Sequence, residues 1–331
     1  MKHIINLGEA LIDIIPGAQI RLEEACYTPY PGGAIANAAV AIARLGGSSR
    51  FIGGVSEDRF GRLLVQALVE NSVDVRYIHF VKDAPTAVAL VTLLDDGQRT
   101  FTFFRHETAD SQLRAEDLNW SAWQDAAICH TGGVLLSTEP ARSATLAAMD
   151  YTRSVGAIVS FDINIRVSLW DAPTTIREVI AQGIERADIL KLSVDEAEFA
   201  DNSVNAPANP PDSGWLITLG ESLLERGPRL VILTSGANGA MLMTANQRVE
   251  IRPLPVRPVD TTGAGDAYIG AVLYTLAQQG CSTPSDLQAL TERDLNTVGN
   301  FANAVAGLSV TRYGGISSFP FMHEVNGLSN P

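Results

Sequence analysis

The chain has 331 residues, 46% of them hydrophobic and 18% charged, which suits a soluble globular protein with a large buried core. Lys and Arg number 24 against 37 Asp and Glu, and the formal net charge of -13 opposes binding to nucleic acid or any other polyanion. No apolar run approaches the roughly 20 residues that span a bilayer, and acids interrupt the opening MKHIINLGEALIDIIP where a signal peptide is uniformly apolar, so a cytoplasmic protein with no membrane partner is expected.

In chain order, Ile4–Leu7 is an apolar strand entering Gly8-Glu9, and Ala10–Ile15 continues it with Asp13 set among Leu11, Ile12 and Ile14. After Pro31-Gly32-Gly33, apolar residues at Ile35, Ala38, Ile42 and Leu45 predict a helix that stops at Gly46-Gly47, with Asn37 on its otherwise apolar surface. Phe51–Val55 reads as a strand and Phe60–Asn71 as a helix. Thr86–Leu94, the turn Asp95-Asp96-Gly97 and Arg99–Phe104 predict a β-hairpin belonging to a small β appendage.

Strand and helix then alternate: strand Ala126–His130, helix Pro140–Ser154, strand Ala157–Phe161, helix Thr174–Arg186, strand Asp188–Leu192. The Pro/Asn-rich NSVNAPANPPDSG reads as a surface loop, because the same alternation resumes beyond it. Leu230–Leu233 is a buried strand that turns through residues 234–239 into Ala240–Met243. Ile269, Val272, Leu273 and Leu276 mark a helix whose first turn holds Gly263-Ala264-Gly265. Such alternation implies an α/β fold with a mostly parallel sheet covered on both faces.

Cys26, Cys129 and Cys281 lack C-x-x-C spacing and read as free thiols. The only lysines are Lys2, Lys82 and Lys191, and neither a Walker A loop nor a protein-kinase V-A-I-K is present. If the protein handles phosphate, it must do so mainly with backbone amides and arginine. No G-x-G-x-x-G follows the first strand, which argues against a dinucleotide-binding oxidoreductase.

Ligands of open α/β sheets bind beyond the carboxyl ends of the strands, where this chain places polar clusters at 162–166, 193–196, 234–239 and 260–266. Ser193-x-x-Glu196 is a capping box and Asn238-Gly239 a hairpin signal, so both have structural readings of their own. Asp266 stands one residue past two glycines at a helix start, where bare amides favour an anion. A carboxylate beside an anion site is costly unless the chemistry needs a base there.

The run Asp260-Thr261-Thr262-Gly263-Ala264-Gly265-Asp266 resembles the C-terminal signature of the ribokinase-like (PfkB) carbohydrate and nucleoside kinases, and Gly32-Gly33-Ala34-x-x-Asn37-x-Ala39 with Leu45-Gly46 resembles their N-terminal one. The two lie about 230 residues apart, in the family's order. Within the family, GEALID, RTFTFFR and FDINIR are most similar to bacterial fructokinases, with 2-keto-3-deoxygluconate kinases and aminoimidazole riboside kinase next.

The resemblance implies one PfkB-type domain over 1–331, a three-layer α/β/α sandwich with a β lid from about 10–31 and 85–108, and ATP-dependent phosphorylation of a sugar hydroxyl, fructose to fructose 6-phosphate first. Asp266 is then the general base, the amides of Gly263, Ala264 and Gly265 the anion hole, and Arg166 a cationic clamp. By the same resemblance Asp13, Gly32, Gly33, Asn37 and Arg105 bind the sugar. Asn164, Lys191, Ser193, Glu196, Thr234, Gly236, Gly239 and Asn303 bind ATP, and Glu196 organises hydrated Mg²⁺. The family often has Asn where Ser193 stands.

Asp260 and Thr262, with Ser309, Arg312, Gly314 and Ser318 of the C-terminal segment, are the expected monovalent-cation site, K⁺ first. The lid is the expected homodimer contact. A silent sugar sensor is the non-enzymatic alternative, against which the intact Asp266 and anion hole weigh.

Overall fold

The computed structural model describes residues 2–16, 27–93, 99–201 and 211–327. The chain opens with β1 (His3–Leu7), β2 (Leu11–Pro16), β3 (Tyr27–Gly32), α1 (Ala34–Arg44), β4 (Ser49–Ile52), β5 (Gly54–Ser56), α2 (Arg59–Glu70), β6 (His79–Val81), β7 (Val88–Leu93) and β8 (Arg99–Phe104). There follow β9 (Ala126–Gly132), α3 (Gly133–Leu136), α4 (Ala141–Ser154), β10 (Ile158–Asp162), α5 (Pro173–Arg186), β11 (Ile189–Ser193), α6 (Ala197–Ala200) and α7 (Ser213–Glu225). The last part holds β12 (Leu230–Thr234), β13 (Ala240–Met243), β14 (Arg248–Ile251), α8 (Ala264–Gln278), α9 (Pro284–Gln288), α10 (Glu292–Ser309) and α11 (Met322–Gly327).

An eight-stranded sheet runs β14-β13-β12-β11-β10-β9-β1-β4. From β12 to β4 every pairing is parallel, and only β13 and β14 run against their neighbours. Its strands are apolar on both faces: in β12, Leu230 and Ile232 join the core under α1, α8 and α10, while Val231 and Leu233 join the core under α5 and α7. Alternate side chains point to opposite faces, so helices on each side give an α/β/α three-layer arrangement. Sequence order reverses between β1 and β9, and that switch point is where an open sheet of this kind leaves a crevice beyond its strand ends.

A second sheet, β3-β2-β7-β8, carries the hairpin. Its arms pair antiparallel with Val88 opposite Phe104, and the expected turn at 95–97 lies outside the described residues. Residues 10–15 do not continue β1; they form β2 of this second sheet. The single strand expected over 51–55 is also two strands, because the chain leaves the central sheet after Ile52 and passes through Gly53 to pair β5 with β6.

The expected loop over 202–214 ends two residues early: Asp212 accepts from the Trp215 amide at 2.8 Å and caps α7 from Ser213. Residues 202–210 lie outside the described part. Cys129 and Cys281 are free and buried, and Cys26 lies outside the described residues. Among the described residues no helix is long and apolar enough to cross a membrane.

Candidate active site

A cleft of about 880 Å³ opens beyond the carboxyl ends of β1, β10 and β11, between the central and second sheets. It is lined at one end by Glu9, Asp13, Gly33, Asn37, Phe101 and Phe103, in the middle by Asn164, Arg166, Lys191 and residues 260–266, and further on by Ser193 and Glu196. The carboxylate-rich and glycine-rich stretches of distant sequence therefore meet in one place.

Local geometry explains the glycine pairs. Gly33 caps α1 at φ 103, and a Cβ there would stand 2.6 Å from the Glu9 carbonyl oxygen, while a Cβ on Gly32 would stand 2.2 Å from Asp13 Oδ2. The Glu9 carboxylate takes the first amide of that helix, Ala34 N, at 2.7 Å. Gly263 caps α8 in the left-handed region at φ 75, and no side chain satisfies the amides of that first turn. Unpaired amides at a helix start form an anion site; Ala264 N already donates to Thr261 O at 3.2 Å, which leaves the amides of Gly263 and Gly265 in a segment that lines the cleft.

Asp266, in the same turn, is buried and takes a hydrogen bond on each oxygen, from Asn37 Nδ2 at 2.8 Å and from Asn164 Nδ2 at 3.4 Å. Burial raises its pKa above 3.8 against the pull of Asn37, Lys191, Arg166 and Asn164. A carboxylate held in this way is oriented, partly desolvated and able to take a proton from a hydroxyl group placed beside it.

Lys191 ends beside the first turn of α8: its Nζ lies 2.7 Å from Asp162 Oδ2 and 3.1 Å from where a Cβ on Gly265 would be. Burial works against the Lys191 charge, but Asp162, with Glu196 and Asp266, more than offsets it and holds the ammonium's pKa above its ordinary value. Arg166 stands at the cleft with one Nη donating to its neighbour's carbonyl, Ile165 O, at 3.1 Å.

Glu196 spends one oxygen on Ser193 N at 2.8 Å and the other on Ile165 N at 2.7 Å. The capping-box reading therefore stands, and Glu196 also ties the 162–166 loop to β11. Thr234, Gly236, Gly239 and Asn303 lie outside the cleft's lining; Thr234 ends β12, Gly236 and Gly239 sit in the β12–β13 turn, and Asn303 Nδ2 donates to Arg252 O at 2.6 Å from α10.

Asp260 accepts from Thr262 N at 2.9 Å and from Gly314 N at 2.8 Å, joining the loop before α8 to the C-terminal segment. Its turn-capping role is thus real. Ser309 and Ser318 donate to backbone carbonyls at 2.8 and 2.9 Å, and Arg312 pairs with Glu324 at 2.6 Å. Arg105, expected with the sugar-binding residues, is buried and paired with Asp110, outside the cleft's lining.

Glu9, Asp110 and Asp162 are absent from the expected site residues. An acid within an apolar run was the signal at Asp13, and it applied equally to Glu9. Burial pushes the Glu9 pKa up from 4.5 to about 7, only partly opposed by its backbone hydrogen bonds and by Arg105. Folding thus favours the neutral form: its stabilising effect is whole below pH 4.5 and is lost as pH rises through about 7. Glu9→Gln, neutral throughout, is expected to gain about 2 kcal/mol on the wild type between pH 5 and pH 8 in urea unfolding. An equal difference at the two pH values would mean that Glu9 is not buried as a strained anion.

The model of the pfkB family of carbohydrate kinases matches residues 1–322. The chain belongs to that family. Fructokinase-1 of Oryza sativa subsp. japonica is 37% identical over 324 residues, covering 97% of this chain and 96% of the relative. The fructokinase of Xylella fastidiosa, solved with bound ATP, superposes with a TM-score of 0.88 at 32% identity over 98% of this chain and 97% of its own. A double mutant of the Vibrio cholerae O395 fructokinase, in a fructose, ADP and potassium ion bound form, gives 0.85 at 31% identity over 99% and 98%. The pfkB kinase chain thus shares the mixed α/β architecture of these structures along nearly its whole length.

Proposed function

We propose that this pfkB kinase transfers the γ-phosphoryl group of ATP to fructose, giving fructose 6-phosphate. The observation that carries the reading is the buried Asp266, held between Asn37 and Asn164 in the same helical turn as the 263–265 amides at the cleft. Asp266 takes the proton of the attacking hydroxyl, and the amides of Gly263, Ala264 and Gly265 receive the charge that spreads over the transferring group. Asp13, Gly32, Gly33 and Asn37 seat the sugar, and Phe101 and Phe103 of the second sheet cover it as a lid. Ser193, Thr234, Gly236, Gly239 and Asn303 continue the site toward the nucleotide.

Among the described residues no group of three metal-ligating side chains occurs, and both Glu196 oxygens already hold amides. That fits an ion which keeps most of its waters, and Glu196 would hold it through them. Mg²⁺ there would neutralise charge on the phosphates. The Asp260 loop, tied to Gly314, fits a K⁺ site built mainly from backbone oxygens, which would keep the anion hole in shape. The protein acts in the cytoplasm, and the outer edge of the lid, with Tyr27 and Phe104 exposed, is the proposed homodimer contact.

The experiment is ADP release with Mg-ATP across fructose, 2-keto-3-deoxygluconate, aminoimidazole riboside, ribose and adenosine, each with KCl or choline chloride at equal ionic strength. Fructose is expected to give the highest kcat/KM, and potassium to raise kcat more than it changes KM. Higher kcat/KM with 2-keto-3-deoxygluconate or the riboside would replace the fructose reading, and no ADP with any sugar would leave a silent sensor. Equal rates in potassium and choline, with alkali metal shown absent, would leave Asp260 a turn cap alone.

A further inference from the structure

We propose that Asp110 sets the charge of the substrate this site accepts, by holding Arg105 in an internally neutral pair so that a neutral sugar is taken and a sugar acid refused. The inference rests on the sugar-kinase reading above and deepens it. Arg105 follows β8 of the lid, the place from which an arginine could grip a substrate carboxylate with two parallel N–H donors. Here that fork is already engaged. Its Nε donates to Asp110 Oδ2 at 2.6 Å, with the two side chains only 3% and 1% exposed, and Nη1 donates to Ser137 Oγ at 2.9 Å. Thr108 Oγ1 donates to the other Asp110 oxygen at 2.6 Å and fixes the acid in place.

What remains is one donor and one acceptor. Arg105 Nη2 is buried without a partner, and so is Oε2 of Glu9, whose carboxyl lines the cleft and interacts electrostatically with both Arg105 and Asp110. The guanidinium lies off the cleft's lining, so it acts on a bound substrate through its field and not by contact. A carboxylate is acceptor only. It would find no uncompensated positive charge from Arg105, and the acids Asp13 and Asp266 around the same cleft. That like-charge arrangement discriminates against the acid.

The test is kcat/KM with Mg-ATP for 2-keto-3-deoxygluconate and for fructose, in the wild type and in Asp110→Asn. The Asn side chain keeps the size but frees the arginine's charge, so the acid-to-fructose ratio is expected to rise by about tenfold or more, chiefly through a lower KM for the acid. In Arg105→Met/Asp110→Leu, which leaves no buried charge unpaired, the ratio is expected within about threefold of the wild type. A folded Asp110→Asn whose ratio stays within about threefold of the wild type overturns the inference, as does a double variant that itself gains the acid.

Should Asp110→Asn fail to fold, Thr108→Val decides: it loosens Asp110 without stranding a charge and is expected to raise the ratio by about threefold, and an unmoved ratio overturns the inference. If the wild type turns over another neutral sugar better than fructose, the fructose reading fails and the same ratio is taken against that sugar. A wild type that prefers the acid overturns both.

Discussion

Asp266→Asn is expected to lower kcat by about 10²–10⁴ while ATP affinity, measured by calorimetry, stays within about threefold. The substitution is nearly isosteric and removes only the capacity to accept the substrate's proton. The surrounding amides can follow it: Asn37 and Asn164 each keep a buried Oδ1 without a partner, so rotation of either side-chain amide offers an acceptor to the new NH₂ group. The fold should therefore survive, and thermal unfolding should shift little. The pH profile separates a base from a mere ligand. Burial raises the Asp266 pKa above 3.8, and the base form is the deprotonated one, so wild-type kcat/KM falls as pH falls through that raised value. The residual activity of Asp266→Asn should lack that acid limb. Activity within about threefold of the wild type would remove Asp266 from the proton transfer.

The proposed base and anion hole stand out in the sequence because their signal is local: glycines, hydroxyls and acids crowd one helix start, and the chemistry of a helix N-terminus says why. The layered fold was legible for a similar reason, since strands such as β12 are apolar on both faces and alternate with helices at regular spacing. Relations made only in three dimensions were not. Asn37 reaches Asp266 across 229 residues, and nothing near Asn37 names its partner beyond family likeness. Arg105 ends a half-exposed strand, which reads as solvated; that Asp110 folds back five residues later to bury it is a property of the loop's path. Glu9 looks like a strand-end acid until the Ala34 amide is found on one oxygen and nothing on the other. The separation of β2 from β1 was invisible because both are apolar and near in sequence, and only their pairing partners assign them to different sheets.

Lys191→Met is expected to lower kcat by about 10²–10³ with a smaller change in the KM for fructose. Lys191 is a buried cation beside the first turn of α8, next to Gly265, and no P-loop lysine exists elsewhere in the chain to share its task. Charge placed there is not attenuated by water and acts where negative charge is redistributed during phosphoryl transfer. The obvious objection is that a buried pair broken on one side destabilises the fold. Asp162 meets it: burial already pushes its pKa up to about 7 against the pull of Lys191, so losing the ammonium raises it further and the acid takes a proton near neutrality. Asp162→Asn added to Lys191→Met should therefore leave kcat where the single variant put it, because the lost element is the cation and not the integrity of the pair. If the second substitution restored kcat to within about threefold of the wild type, the defect would be the stranded acid, and Lys191 would have no part in holding the transferring group.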